Sequence, residues 1–247
     1  MTRRALIISN PGEVGDEHYC EGANKDGTHY QRFLKADYGG LWYDHEIESL
    51  PRPTASSLRL ALAKLRYIDY ALVVFSGHGY YSSMYRSTIL ELRKGESIDS
   101  AELRNASPKQ TIILDCCRVV YPPILVEERL IKAFAAKPER DAERCRRVYD
   151  EQIARCGNSM VIAYSCAIDE RAGDDSQKGG IYSFSLLDVC RRWAEEKTVG
   201  FPVKAEALSI VAGHILAAPV VTRLRAEQHP QIEKDRSGAY FPFCVVA

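Results

Sequence analysis

The chain has 247 residues, 46% of them apolar, and its 33 lysines and arginines balance 33 aspartates and glutamates. That apolar content suits one sizeable α/β domain and argues against disorder. A formal net charge of zero gives no overall attraction to nucleic acid or to an anionic membrane, and no apolar stretch approaches the length of a membrane span.

The first residues place Arg3 and Arg4 before the apolar run Ala5-Leu6-Ile7-Ile8. The run is too short for an export signal and reads as the first strand. Without such a signal the expected location is cytoplasmic and most of the eight cysteines are expected to be reduced thiols. None form Cys-x-x-Cys, and no histidine pair has metal-ligand spacing, so neither a metal site nor a required cofactor is expected. The glycine- and acid-rich stretch from Pro11 to Gly27 reads as a loop. Thr28 then caps a helix running to Tyr38 and ended by Gly39-Gly40.

His45–Leu50 is a short strand candidate closed by Pro51-Arg52-Pro53. From Thr54, Leu58, Leu62 and Leu65 fall at helical spacing. Tyr70–Ser76 is a strand, Tyr80–Arg86 a tyrosine-rich loop, and Ser87–Leu92 another strand. Ile98–Ala106 reads as a short helix capped by Asp99 or Ser100. After the strand Thr111–Leu114 and Pro122-Pro123 comes a charged segment, Val126 to Arg155, which reads as one or two exposed helices interrupted near Pro138. Ser159–Ser165 is a buried-strand run opening into the acidic loop Asp169–Asp175. Gly179-Gly180 precedes a helix through Phe184, Leu187 and Trp193, a second helix spans Val203 to Arg225, and Tyr240–Val246 closes the chain as a strand. Strands alternating with helices predict a mostly parallel, helix-covered sheet in a single α/β domain over residues 1–247.

Two stretches stand out. Leu72-Val73-Val74-Phe75-Ser76-Gly77-His78-Gly79 and Thr111-Ile112-Ile113-Leu114-Asp115-Cys116-Cys117-Arg118 are each a short apolar run that stops in polar or glycine residues. In an open parallel sheet, reactive groups collect beyond the carboxyl ends of strands. If both runs are parallel strands, His78 and Cys117 emerge at one edge as a candidate base and thiol nucleophile.

These motifs resemble those of the caspase and metacaspase clan of cysteine peptidases, and the resemblance covers nearly the whole chain. Ser76-Gly77-His78-Gly79 is similar to the clan's histidine loop, and Asp115-Cys116-Cys117-Arg118 to its nucleophile motif, with aspartate in the metacaspase manner where caspases carry glutamine. Tyr164-Ser165-Cys166, the loop to Asp174 and Gly179-Gly180 resemble the fifth strand and substrate loop. Gln228-His229-Pro230-Gln231 with Phe241-Pro242-Phe243 resembles the closing segment. One departure is Val119-Val120, where the clan commonly has a glycine soon after the nucleophile.

The resemblance implies a three-layer sandwich with a central sheet of about six strands, and a Cys117–His78 dyad without a third member. His78 would act either as base on the thiol or as acid toward the leaving group, and the backbone N–H groups of Gly79 and Cys117 would receive the oxyanion. Residue by residue it assigns Asp26, Ser76, Asp115 and Asp174 to a pocket for arginine or lysine, whose cations carboxylates bind and aspartate side chains are repelled from. The implied partners are proteins or peptides with such sites and an upstream activating protease. Arginines in the segment 126–155 are candidate activation cuts. Calcium activation is a family possibility, though no loop shows a calcium ligand order. The expected role is regulated proteolysis in stress, cell death or antiphage defence. Two alternatives stand beside it: a catalytically silent module using the same fold for binding, and another thiol hydrolase or a redox thiol at Cys116-Cys117.

Overall fold

The computed structural model describes residues 1–16, 18–120, 140–199, 203–235 and 239–247. The elements in order are β1 (Arg3–Asn10), α1 (Gly22–Lys35), β2 (Ile47–Pro51), α2 (Ala55–Leu65), β3 (Tyr70–Gly77), β4 (Gly79–Ser82), β5 (Ser87–Arg93), β6 (Glu96–Asp99), β7 (Lys109–Asp115), α3 (Ala142–Arg155), β8 (Ser159–Tyr164), β9 (Asp174–Asp175), β10 (Gly179–Gly180), α4 (Ile181–Lys197), β11 (Glu206–Ser209), α5 (Ile210–Leu224), β12 (Gln231–Lys234) and β13 (Pro242–Val246).

The central sheet has six strands in the order β12-β8-β7-β3-β1-β2. Five run parallel, and β12 pairs antiparallel with β8 at one edge. The strands are apolar on both faces because both faces are covered. Ala5, Ile7, Leu72, Val74, Ile113 and Ala163 join the core under α1, α3, α4 and α5. Their neighbours Leu6, Ile8, Val73, Phe75, Ile112 and Ile162 join a second core under α2 and the small sheet β4-β5-β6. The period-two alternation thus sorts one strand's residues between two cores, giving the three-layer α/β sandwich expected.

Local departures from the sequence reading have physical causes. The helix expected to start at Thr28 begins six residues earlier at Gly22, so Asp26 lies within α1 and is fully buried. In place of a helix over Ile98–Ala106, β6 leads into a single 3₁₀ turn at Ser100–Leu103, with Asp99 accepting from Ala101 N–H at 2.8 Å. The loop expected at Tyr80–Arg86 begins as β4, paired with β5. The helix expected from Val203 starts at Ile210 under a Ser209 cap, 3.2 Å from Ala212 N–H. The residues before it form β11, which pairs with β13 outside the main sheet.

The charged segment divides. Residues 126–139 lie outside the described residues, and α3 is a packed helix rather than an exposed one. Its Cys145, Tyr149 and Ile153 are fully buried, and Arg146 pairs with Glu46 at 2.7 Å.

Candidate active site

The sheet order reverses direction about β1, with β2 on one side and β3 on the other. Such a switch point leaves a crevice beyond the carboxyl ends of the strands. Ser76 at the end of β3 stands directly beside Asp115 at the end of β7, so His78 and Cys117 leave the sheet side by side, as the two motifs predicted. Gly77 makes this possible. Its φ is +148°, and a Cβ there would lie 2.2 Å from the carbonyl oxygen of Asn10 on β1. Only glycine lets the two strand ends converge so closely.

The loop after β1 closes around the carbonyl of Pro11. That oxygen accepts from Cys20 N–H at 2.7 Å and lies 3.2 Å from His78 Nε2. A carbonyl only accepts, so Nε2 carries the proton and Nδ1 of the neutral ring is left as the proton acceptor. The Pro11 carbonyl thus orients the imidazole, a contact that the sequence did not reveal. A backbone carbonyl has no side-chain signature.

Cys117 is 7% exposed, and its thiol donates to the carbonyl of Ala172 at 3.7 Å. Burial pushes the thiol pKa up, and the nearby Asp115 charge adds to this. The turn carrying Cys117 is clamped from both sides. Arg118 exchanges backbone hydrogen bonds with Glu170 and Asp169, both at 2.9 Å. Its guanidinium stacks 4.1 Å from the Tyr164 ring and donates to Thr88 Oγ1 and the Cys166 carbonyl. The departure at Val119-Val120 is accommodated: Val119 C=O accepts from Tyr81 N–H at 3.0 Å, and Val120 N–H donates to Asp169.

Asp26, Asp115 and Asp174 converge beside this thiol. Ser76 Oγ donates to Asp26 Oδ2 at 2.5 Å, and Gly180 N–H reaches both Asp26 oxygens at 3.1 Å. Ser183 N–H donates to Asp115 at 2.9 Å, and Gly22 N–H to Asp174 at 3.1 Å. Among the described residues no lysine or arginine bonds to any of the three. Burial raises all three carboxyl pKa values. Asp26, pressed also by the Asp115 charge, stands well above the usual carboxylate range, and Asp115 is pushed up to about 6. The space lined by Ser76, Asp115, Asp174, Cys20 and Cys117 is only about 20 Å³. That is room for one water, so the pocket is closed in this conformation. Asp174 contacts Gly22 and Cys20 there, and the Cys117 thiol contacts the Ala172 carbonyl.

A second cavity, of about 610 Å³, opens on the other side of His78 and Cys117, between the loop after β1 and the β5–β6 hairpin.

The caspase domain profile matches residues 2–238. The chain belongs to the caspase-domain family of cysteine peptidases. Among solved structures, caspase-1 from Spodoptera frugiperda superposes with a TM-score of 0.57 at 12% identity, over 94% of this chain and 86% of that one. At that identity the likeness speaks for the fold. No curated protein sequence matches the chain.

Within this caspase domain the expected site residues all fall at one sheet edge: His78, Cys117, Gly79, Ser76 and Asp115 from strand ends, Asp26 from α1, and Asp174 from β9. One expectation changes its reason. Gly79 reads in sequence as a close approach to substrate, but a Cβ at 79 would meet the Ile89 carbonyl at 2.9 Å and Cys116 Sγ at 3.0 Å. The protein's own packing excludes a side chain there. The closing segment contributes Gln228, whose buried amide accepts from Gly173 N–H and donates to the Ser165 carbonyl, both at 2.9 Å. It fixes the base of the loop that carries Asp174.

Among the described residues no cluster of histidine, cysteine and acidic side chains is arranged to hold a metal ion. The acids of the 169–175 loop are engaged by the chain itself. Glu170 binds His229 at 2.7 Å, and Asp175 caps Gln177 and Lys178 N–H groups. Among the described residues no helix is long and apolar enough to cross a membrane.

Proposed function

We propose that the protein is an endopeptidase that cleaves after arginine or lysine, with Cys117 as nucleophile and His78 as its proton carrier. The observation that carries this reading is a group of three carboxylates beside the Cys117 thiol, Asp26 and Asp115 buried and Asp174 partly so, with no bonded cation among the described residues. Buried like charges are costly unless neutralised. A guanidinium or ammonium entering among them relieves that cost, whereas an aspartyl side chain increases it.

His78 Nδ1 takes the thiol proton, the thiolate attacks the carbonyl carbon, and the resulting oxyanion receives the N–H groups of Gly79 and Cys117. The imidazolium, held by Pro11, returns the proton to the leaving amine. A water, deprotonated by the same nitrogen, then hydrolyses the thioester.

The closed pocket fits an enzyme kept latent until the Asp174 loop shifts, in keeping with regulated rather than digestive proteolysis. Activating cuts within 126–155 remain part of this reading. On α3 they require the helix to open first, because a protease takes an extended chain and Arg146 is tied to Glu46; Arg140, just before the helix, is tied to Asp37 at 3.1 Å.

The test is hydrolysis of fluorogenic peptides ending in arginine, lysine or aspartate, with and without calcium, beside Cys117→Ala. Turnover of the basic peptides, lost by ~10³-fold or more in the variant, is the expected result. Preferential turnover of the aspartyl peptide would refute the specificity. A silent binding module, the other reading of this fold, would leave Cys117 unlabelled by an arginyl peptide electrophile under conditions that open the pocket.

A further inference from the structure

The acidic pocket and the 610 Å³ cleft are both lined by His78 and Cys117. A peptide lying across these two residues, with its basic side chain in the acidic pocket, directs the chain after the scissile bond into the cleft. The cleft is open where the pocket is closed, and its volume is that of an ordinary ligand site.

We propose that this cleft binds the leaving-group side of the substrate and that Glu91 selects a lysine or arginine immediately after the scissile bond. The assignment rests on the peptidase reading and adds a second specificity determinant to it. Leu90 and Leu92 on β5 are fully buried in the core, so the strand alternation turns Glu91 to the opposite face, where it lines the cleft. Its backbone is locked beside the base. Glu91 N–H donates to the His78 carbonyl at 3.0 Å, and its own carbonyl accepts from Asn10 Nδ2 at 2.7 Å.

Other charged groups of the cleft are committed elsewhere. Glu13 pairs with Arg52, Glu96 accepts from Ala55 N–H at 2.8 Å, and Arg93 donates to the Arg52 carbonyl at 2.9 Å. Asp16 and Lys94 stand exposed at the rim. The Glu91 carboxylate carries no hydrogen bond or ion pair among the described residues. The Glu91 backbone is bonded to that of His78, and a cationic side chain entering the cleft there complements the carboxylate.

Internally quenched peptides test this when they share one residue before the scissile bond and carry lysine, alanine or glutamate after it. The wild-type enzyme is expected to favour lysine over glutamate by about ten-fold in kcat/KM, the equivalent of one modest charge interaction. Glu91→Gln should bring that ratio to within about two-fold, and Glu91→Lys should reverse it. A ratio unchanged in Glu91→Gln, even with slower overall cleavage, would mark Glu91 as structural and overturn the proposal.

A second measurement needs no turnover. Calorimetry on Cys117→Ala compares short peptides with free amino termini that begin with lysine or glutamate. Tighter binding of the lysine peptide supports the assignment, and equal binding overturns it. Because these peptides lack any residue before the scissile bond, failure to hydrolyse basic substrates would count against the peptidase reading alone.

Discussion

The hydroxyl of Ser76 at the end of β3 donates to Asp26 of α1 at 2.5 Å, while the N–H of Gly180 bridges both oxygens of the same carboxylate. The two residues are 50 positions apart. Their bond fixes a helix to the sheet at the point where the substrate's charge would be read. Burial and the neighbouring Asp115 charge oppose ionisation of Asp26, and these two donors only partly offset them.

A guanidinium ligand should therefore stabilise the fold in a pH-dependent way. Agmatine is expected to raise the melting temperature at pH 8 and to do so much less at pH 5, where Asp115, pushed up to about 6, holds its proton. Asp26→Asn should weaken its binding by about ten-fold or more, as expected for losing a charge-assisted partner. Thermal shift against agmatine concentration measures both, and equal protection at the two pH values would refute the account.

Asp115 makes a prediction about stability without ligand. Its folded pKa is raised to about 6 by burial, above the ~3.9 of an exposed aspartate. The folded protein thus binds the proton more tightly than the unfolded chain. This contribution is fully present below about pH 4 and is lost as pH rises through 6. Asp115→Asn keeps an acceptor for Ser183 N–H but cannot ionise. It should raise the melting temperature at pH 7.5 by roughly 2–6 °C while leaving it nearly unchanged at pH 4. A variant destabilised equally at both pH values would show that packing dominates.

The Cys117 thiol is held neutral by burial. In the resting protein its alkylation by iodoacetamide should be slow at pH 7 and climb about ten-fold per pH unit toward pH 9, following the thiolate fraction. Peptide mass mapping of modified Cys117 against pH gives the profile. A fast, flat reaction near pH 7 would mean that the thiolate is already formed without substrate.

Gly77→Ala should damage folding more than chemistry. The new Cβ would sit 2.2 Å from the Asn10 carbonyl at a φ of +148°, so the ends of β1 and β3 must part. A loss of about 2–4 kcal/mol in denaturant unfolding is expected. A loss below about 0.5 kcal/mol, the range of an ordinary surface change, would contradict the close approach.

How much of this was legible in the sequence depended on burial. β1, β3, β7 and β8 are central strands apolar on both faces, so each announced itself as an unbroken run, and the motifs at the ends of β3 and β7 put His78 and Cys117 at one sheet edge. The short peripheral strands β4, β6, β11 and β12 are half-exposed and polar. Their pairing is decided by neighbours distant in sequence, which no local pattern encodes. The start of α1 was hidden because Gly22-Ala23-Asn24-Lys25-Asp26-Gly27 contains poor helix formers. Tertiary contacts, including the bond from Gly22 to Asp174, override that local preference. The role of Pro11 was invisible because its carbonyl acts, not its side chain. The closure of the pocket depends on a contact between loops, Asp174 with Cys20 and Gly22, that only the folded chain brings about.

The pocket draws Asp26 from α1, Ser76 from β3, Asp115 from β7 and Asp174 from β9, and Gln228 near the far end of the chain holds the loop beneath Asp174. No partial fold contains all of these. A chain emerging during synthesis, or one unfolding under stress, can carry both thiol and imidazole and still have nothing with which to recognise a substrate. In the proposed enzyme, selectivity appears only once the whole domain has closed on itself, and an unfinished copy lacks it.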